Sequence, residues 1–504
     1  MTASMDVVIV GGGVGGLAVA WNLTVLARQG GVSPPTIMVV EASGRWGGNA
    51  DTIDFSFGTG PNGQTLSRWV DLGVNDFNKT AYTLIVGVMD TLGFVDGVSY
   101  KPLEDSTSYY TADGALAFTD NDSSWWGTQL NPTLAQSVAS FMTVAGNDAH
   151  QNATKFASYT IQQYIEEQGP LQSPPWDPDL GPKVIYPRIN GMYFVSELGP
   201  LDMPFLAVMH YYAIQEGAGG QPAQRRYFVN GSSTWIGALV DYMAAAMPNV
   251  SFQLNYQAVI SQVATADPMY LVQDLNGRNA PLQATSVVLA AHADQCLTAF
   301  ATGLPGPAAA AMASIRYNNG ISVAHLDSRL LPVNSNAWCT YNILIHEPGA
   351  TALKPYVINY VVNRHQNDAA NPAYDQYGLP QFFVSCNPQR AIPENMVLTS
   401  LDGTPAIANL RHNTFDFATM QAQTQIDALQ GIGNIYYAGG WTQGSGLHEE
   451  CWAQGQDVAQ LMLSHAQAGA PKGPARPKEV GQLIGDRLRR NAAIGAQPRQ
   501  PVMA

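Results

Sequence analysis

The stretch Gly11-Gly12-Gly13-Val14-Gly15-Gly16 holds the residue types of this chain that most directly specify chemistry. In its G-x-G-x-x-G spacing the glycines have separate roles. Gly11 allows a tight turn, Gly13 lets the backbone approach a pyrophosphate, and Gly16 lets a following helix pack on the preceding strand. A phosphate would sit at the helix N-terminus, where free N–H groups and the helix dipole meet negative charge. Glu41, 25 residues beyond Gly16, can accept hydrogen bonds from both ribose hydroxyls and disfavours a 2′-phosphate, so NADP is not the expected occupant. The usual spacing is about 20, and the loop "RQGGVSPP" (28–35) accounts for the excess. A glycine turn with a purely structural role is the alternative.

The elements needed to hold these groups are legible around them. Residues 7–10 form a short β-branched run, the pattern of a strand buried on both faces of a parallel sheet. Residues 17–28 show helical spacing of apolar positions, and residues 36–40 read as a second strand ending at Glu41. The next segment, "ASGRWGGN" (42–49), carries Ala42, Ser43, Arg45, Gly47, Gly48 and Asn49. There an arginine followed by paired glycines supplies a second grip on a diphosphate and a close backbone pass. Near the far end, "NIYYAGGWTQGSGLHEECWAQGQ" (434–456) again reads as strand, glycine-rich turn and helix.

In joining G-x-G-x-x-G to an E-A-x-x-R-x-G-G segment, the chain resembles the flavin-containing amine oxidase superfamily. The resemblance implies non-covalent FAD. It also implies that the C-terminal strand and helix close over the flavin, through Gly439, Gly440, Leu447 and His448, with the helix N-terminus favouring negative charge on the ring. The segment 227–263 resembles the superfamily's middle FAD-domain segment, in which Val259 would meet the adenosine half through its backbone; a plain buried strand valine is the alternative. "SVVLAAHADQCL" (286–297) resembles the strand that follows. Stretches 68–93, 315–343, 356–367 and 444–459 are similar to a bacterial group of NAD/FAD-binding proteins within the superfamily, and the first of them adds Gly73 and Val74 as cofactor contacts.

The fold class expected is α/β. It comprises a Rossmann-type FAD-binding domain, discontinuous in sequence (1–75, 225–300, 405–465), and an α+β substrate domain on a mixed or antiparallel sheet (76–224, 301–404). The latter carries a helical lid that includes Trp125-Trp126. Residues 466–504 are expected to be a surface extension with a basic amphipathic stretch at 480–490, packing on the body or on a neighbouring subunit. A net charge of −14 and a pI near 4.9 argue against nucleic-acid and anionic-membrane partners, which need basic patches. Cys296, Cys339, Cys386 and Cys451 are widely spaced without a C-x-x-C pair, favouring reduced thiols in a cytoplasmic setting over disulfides or zinc. No metal site, targeting signal or stable membrane insertion is expected; a homo-oligomer is compatible with the sequence.

Amine oxidases of the superfamily place a lysine near flavin N5 and aromatic side chains over the ring. In the corresponding region, about 303–325, this chain has Arg316 and no lysine, and the closing motif supplies Leu447 where a cage aromatic is usual. An apolar wall suits hydride removal from a C–H bond of an apolar or amphipathic small molecule better than capture of an amine. A redox-neutral flavin isomerase, similar to the double-bond isomerases of unsaturated fatty acids, is the alternative, and a non-catalytic flavin protein a third reading. The substrate-side candidates are His210, Tyr193, Tyr212 and Trp338, with Tyr211 and Tyr341 beside them; a place in the core is the ordinary reading for most of these side chains, and His210 stands above the rest because it can donate, accept or transfer a proton.

Overall fold

A computed structural model describes residues 3–119, 132–264, 268–301, 303–345, 356–368, 380–469 and 473–496. Trp125-Trp126 lies outside them. β1 (Ala3–Val10), α1 (Val14–Gln29) and β2 (Ile37–Val40) form in the order the N-terminal pattern dictates. β1 lies between β2 and strand Leu282–Leu289, and strands Val250–Gln253 and Ile435–Tyr437 extend the parallel set on either side. The antiparallel strands Met269–Asp274 and Ala258–Ala264 complete this seven-stranded sheet. The β-branched run is buried on both faces: Val7 and Ile9 enter one apolar cluster, Val8 and Val10 another. Each such side chain contributes about 1.5–3 kcal/mol by leaving water.

Helices cover both faces. The closing helix, His448–Ala468, lies against α1 so closely that a Cβ on Gly455 would come within 2.5 Å of the Ala18 side chain. Its Glu449 accepts hydrogen bonds from the backbone N–H groups of Leu84 (2.9 Å) and Ile85 (3.0 Å), and so caps α2 (Thr83–Thr91) from outside.

The second sheet also has seven strands, ordered Ile407–Asn413, Tyr317–His325, Phe383–Cys386, Ile358–Val361, Tyr341–Leu344, Thr107–Tyr110 and Leu116–Thr119. All neighbours are antiparallel except Tyr341–Leu344 beside Thr107–Tyr110. Strand Ile407–Asn413, expected within the third FAD segment, runs in this sheet because it pairs along its length with Tyr317–His325. The segment 76–224, expected to carry the helical lid, also contributes two strands here. Its helices Pro132–Gln151, Ile161–Gln168 and Phe205–Tyr211 form a buried layer, with Tyr164 stacked on Phe205 at 3.8 Å between ring centres. Among the described residues no helix is long and apolar enough to cross a membrane.

Asp71, beside Gly73 and Val74, ties strand Thr52–Thr59 to the start of helix Ser233–Ala246. Its Oδ1 accepts from Thr52 Oγ1 (2.5 Å), Ser232 N (2.9 Å) and Ser232 Oγ (3.0 Å), while its buried Oδ2 has no partner. Burial outweighs these donors and pushes the carboxyl up to about 7. The folded state therefore holds a proton that the unfolded chain releases near pH 4, so stability attributable to Asp71 falls as pH rises from about 4 to about 7. Asp71→Asn is expected to remove that fall, on the order of 4 kcal/mol across the interval. Thermal unfolding of both proteins from pH 4 to 8 checks it, and an unchanged slope would count against the buried neutral acid.

Candidate active site

One cavity of about 690 Å³ runs from the glycine turn after β1, past the closing turn, to a chamber under the second sheet. Its first end is built by β1 and α1. Gly11 has φ +118°, and a Cβ there would stand 2.6 Å from the Ala290 carbonyl carbon, so the turn lies directly on the neighbouring strand's exit. A Cβ on Gly16 would come within 2.1 Å of Gly11 O, which fixes the helix on the turn; unlike Gly11, Gly13 and Gly15, Gly16 does not line the cavity. Gly13, at φ −73°, has nothing within 4 Å of its Cβ position, and α1 opens with no side-chain cap, leaving its first N–H groups beside Gly13, Val14 and Gly15 on the wall.

Glu41 joins this turn to the next. Its Oε2 accepts from Gly12 N and its Oε1 from Ser43 N, both at 2.8 Å. A carboxylate has about four lone-pair sites, so acceptor capacity remains for hydroxyls. Ala42, Ser43, Arg45, Gly47, Gly48 and Asn49 continue the wall, with Gly47 N bonded to Gly12 O at 2.9 Å. Arg45 lies at the edge, donating to Ala50 O (2.9 Å) and pairing with Asp51 (3.3 Å). Gly73 and Val74 pass so near Asn49 that a Cβ on Gly73 would meet Asn49 O at 1.9 Å. Val259 lines the same end, with Tyr256 and Leu275.

The closing turn abuts the first one: a Cβ on Gly15 would stand 2.7 Å from Gly439 N. Gly439, Gly440, Leu447 and His448 all line the cavity. Burial lowers the His448 imidazole to about 4, so it is neutral, and its ring faces Trp235 at 5.4 Å. Behind the turn, Glu450 Oε2 accepts from Ser445 N (3.1 Å), Ser445 Oγ (3.0 Å), Gly446 N (3.0 Å) and Leu447 N (3.0 Å), while Oε1 bonds His210 Nε2.

Of the substrate-side candidates, Tyr193 lines the cavity, as do Tyr211 and Tyr341. His210, Tyr212 and Trp338 do not. Neighbouring helical residues point about 100° apart, so with Tyr211 facing the cavity, His210 turns to Glu450 and Tyr212 into the buried helical layer. Trp338 donates to Pro332 O at 2.8 Å and packs edge-on against Phe383. Arg316 is likewise away from the wall, half exposed and paired with Asp416 at 2.6 Å.

Residues that the sequence did not single out complete the chamber: Asp76, Tyr82, Arg188, Glu216, Arg225, Tyr356, Tyr360 and His412. The wall is therefore less apolar than expected. Tyrosines dominate it, and two ion pairs cross it, Arg188 with Glu216 (2.6 Å) and Arg225 with Asp76 (2.7 Å). Burial alone would raise the Asp76 carboxyl, but Arg225 and His365 beside it hold it far below its ordinary range. His412, 4.7 Å from the Tyr193 ring, is neutral because burial lowers it to about 3. Asn49 Nδ2 donates to Arg411 O (3.3 Å) and lies 3.2 Å from His412 Nδ1, an arrangement that assigns the imidazole proton to Nε2. No lysine lines the cavity among the described residues.

A family model described as flavin containing amine oxidoreductase matches residues 14–331. No curated protein sequence matches the chain. Among solved structures, a putrescine oxidase double mutant is 15% identical over 92% of this chain and 100% of its own, with a TM-score of 0.60. A CLA-producing fatty acid isomerase from P. acnes is 14% identical over 90% and 98%, TM-score 0.56. Cyclohexylamine oxidase from Brevibacterium oxydans IH-35A is 15% identical over 92% and 99%, TM-score 0.54. At such identities the likeness is one of fold.

Proposed function

This chain belongs to the flavin-containing amine oxidoreductase family, and from that premise we propose that it is an FAD-dependent oxidoreductase removing hydride from a C–H bond of a small amphipathic molecule. The observation that carries this reading is the continuity of the cavity, which joins an uncapped helix N-terminus and a ribose-type carboxylate to a chamber of tyrosines and paired charges. FAD, when bound, supplies the hydride acceptor.

The chain's own residues bind, orient and exclude water. Gly13 and the first N–H groups of α1 hold the diphosphate, Glu41 the ribose, and the turn 439–447 covers the ring. Cys451 lines the cavity, but burial pushes its thiol up to about 12, and its Sγ donates to Gly446 O at 3.5 Å. A protonated thiol is a poor nucleophile, which favours non-covalent FAD. In the chamber, tyrosine rings take the apolar body of the substrate, while hydroxyls, the Arg188–Glu216 pair and neutral His412 meet its polar group.

The test is an anaerobic titration of holoprotein with a panel of primary amines, hydroxylated ring compounds and unsaturated fatty acids, following the visible flavin band and product masses. Bleaching with a product two hydrogens lighter is the expected result. A product of equal mass under a persistent band would replace this reading by the redox-neutral isomerase, and a protein that cannot be loaded with FAD would remove both.

A further inference from the structure

The C-terminal helix, Val480–Ala496, is not a loose surface extension. Leu483, Ile484 and Leu488 are buried, the last two in the same apolar cluster as Ala153, Phe156 and Phe205. A Cβ on Gly481 would stand 2.8 Å from Thr154 Cα, so the helix is fitted to residues 153–154 at backbone distance. Arg490 pairs through both guanidinium nitrogens with Asp457 of the closing helix, at 2.6 and 2.5 Å.

Between these anchors Arg487 points inward and is 8% exposed. Its Nη1 donates to Gln423 Oε1 at 2.8 Å and its Nη2 lies 3.4 Å from Thr442 O. Gln423 is itself bonded to the closing turn three times. Its Nε2 donates to Gly444 O (2.8 Å) and Trp441 O (3.2 Å), and its Oε1 accepts from Gly444 N (3.0 Å). The carboxylates of Asp427, Glu450 and Asp457 supply the nearby negative charge. A buried guanidinium is costly without such partners, and here the hydrogen-bonded ones belong to the turn or to the side chain that holds it.

We propose that Arg487 positions the closing turn, so that the C-terminal helix is a working part of the cofactor site although none of its residues lines the cavity. Arg487 and Gln423 hold the turn at Trp441, Thr442 and Gly444, and Glu450 holds it at Ser445, Gly446 and Leu447, so residues 441–447 are tied down by three buried polar side chains. The role assigned to FAD rests on the function proposed above; the role assigned to the turn does not.

The test uses the full chain with Arg487→Met and, as a packing control on the same helix, Leu488→Ala. Amide hydrogen exchange is read in the FAD-free protein and FAD release in the loaded protein, both well below the unfolding temperature. Arg487→Met is expected to speed exchange at Gly444 and release FAD about tenfold faster, as loss of a charged hydrogen bond worth about 1.4 kcal/mol would. Leu488→Ala is expected to lower the unfolding temperature with both rates at their wild-type values, and millimolar guanidinium to restore slow exchange to Arg487→Met alone. Wild-type exchange in Arg487→Met, or equal acceleration in both variants, would overturn the proposal. Wild-type protein that takes up no FAD would remove the function proposed above, while the exchange measurement would still decide what Arg487 does.

Discussion

Gly13→Val is expected to yield a folded protein that purifies without colour. The backbone at Gly13 has φ −73° and ψ 174°, extended geometry open to any L-residue, and no atom lies within 4 Å of the position its Cβ would take. The apo chain therefore has no reason to reject valine, whose methyl groups would instead fill the space a diphosphate needs to reach the N–H groups of α1. A loss of affinity of at least about a hundredfold, near 2.7 kcal/mol, is expected from the lost approach alone. Two neighbouring glycines give the contrast. Gly16→Val drives a Cβ to 2.1 Å from Gly11 O and should prevent folding, and Gly15→Val brings one to 2.7 Å from Gly439 N and should force the two turns apart. Circular dichroism, unfolding temperature and flavin content measured on all three separate the cases. Stoichiometric FAD in Gly13→Val would withdraw the diphosphate from this turn.

That contrast also marks what the sequence could and could not show. β1, the glycine turn, α1, β2 and Glu41 are consecutive, and their arrangement follows from local geometry within 41 residues, so spacing alone exposes these elements. The chamber is assembled otherwise. Asp76 and Arg225 lie 149 residues apart, Asn49 and His412 363 apart, and nothing in either segment signals its partner.

The stretch around His210 shows a subtler limit. A histidine followed by two tyrosines offers three candidate groups, but only the helix phase decides which faces the cavity. Helix Phe205–Tyr211 continues into a π-helical turn, Tyr212–Glu216, whose extra residue brings Gln215 and Glu216 to the cavity side with Tyr211. No apolar periodicity announces that turn. The amphipathic pattern at 480–490 is readable, and the segment does pack on the body; the buried destination of Arg487 is not, because a charged residue on a helix is ordinarily a solvated one.

Replacing Glu450 by alanine is expected to cost about 3–5 kcal/mol of stability, because several buried donors lose their shared acceptor at once. Four donors of the closing turn converge on one carboxylate oxygen, so its loss leaves their backbone N–H groups without an acceptor. Glu450→Gln keeps an acceptor oxygen without the charge and should lose less. Burial pushes the Glu450 carboxyl up, but His210 and the turn's donors outweigh it and hold the group below its ordinary range. The sign follows: its stabilisation is complete above about pH 4.5 and is lost as pH falls through the lower folded value. Wild-type protein should therefore lose this contribution on acidification, and Glu450→Gln should lack that component of the acid transition. His210→Ala removes the partner of Oε1 and leaves the four donors on Oε2, so a smaller cost of about 1–3 kcal/mol is expected. Because His210 stands behind the turn and off the cavity wall, turnover per bound flavin should match wild type in that variant, with any fall in total activity tracking flavin content. A collapse of turnover per flavin at full occupancy and unchanged stability would return His210 to the chemistry, and would mean that the turn it supports moves far enough in the working enzyme to bring the imidazole onto the wall.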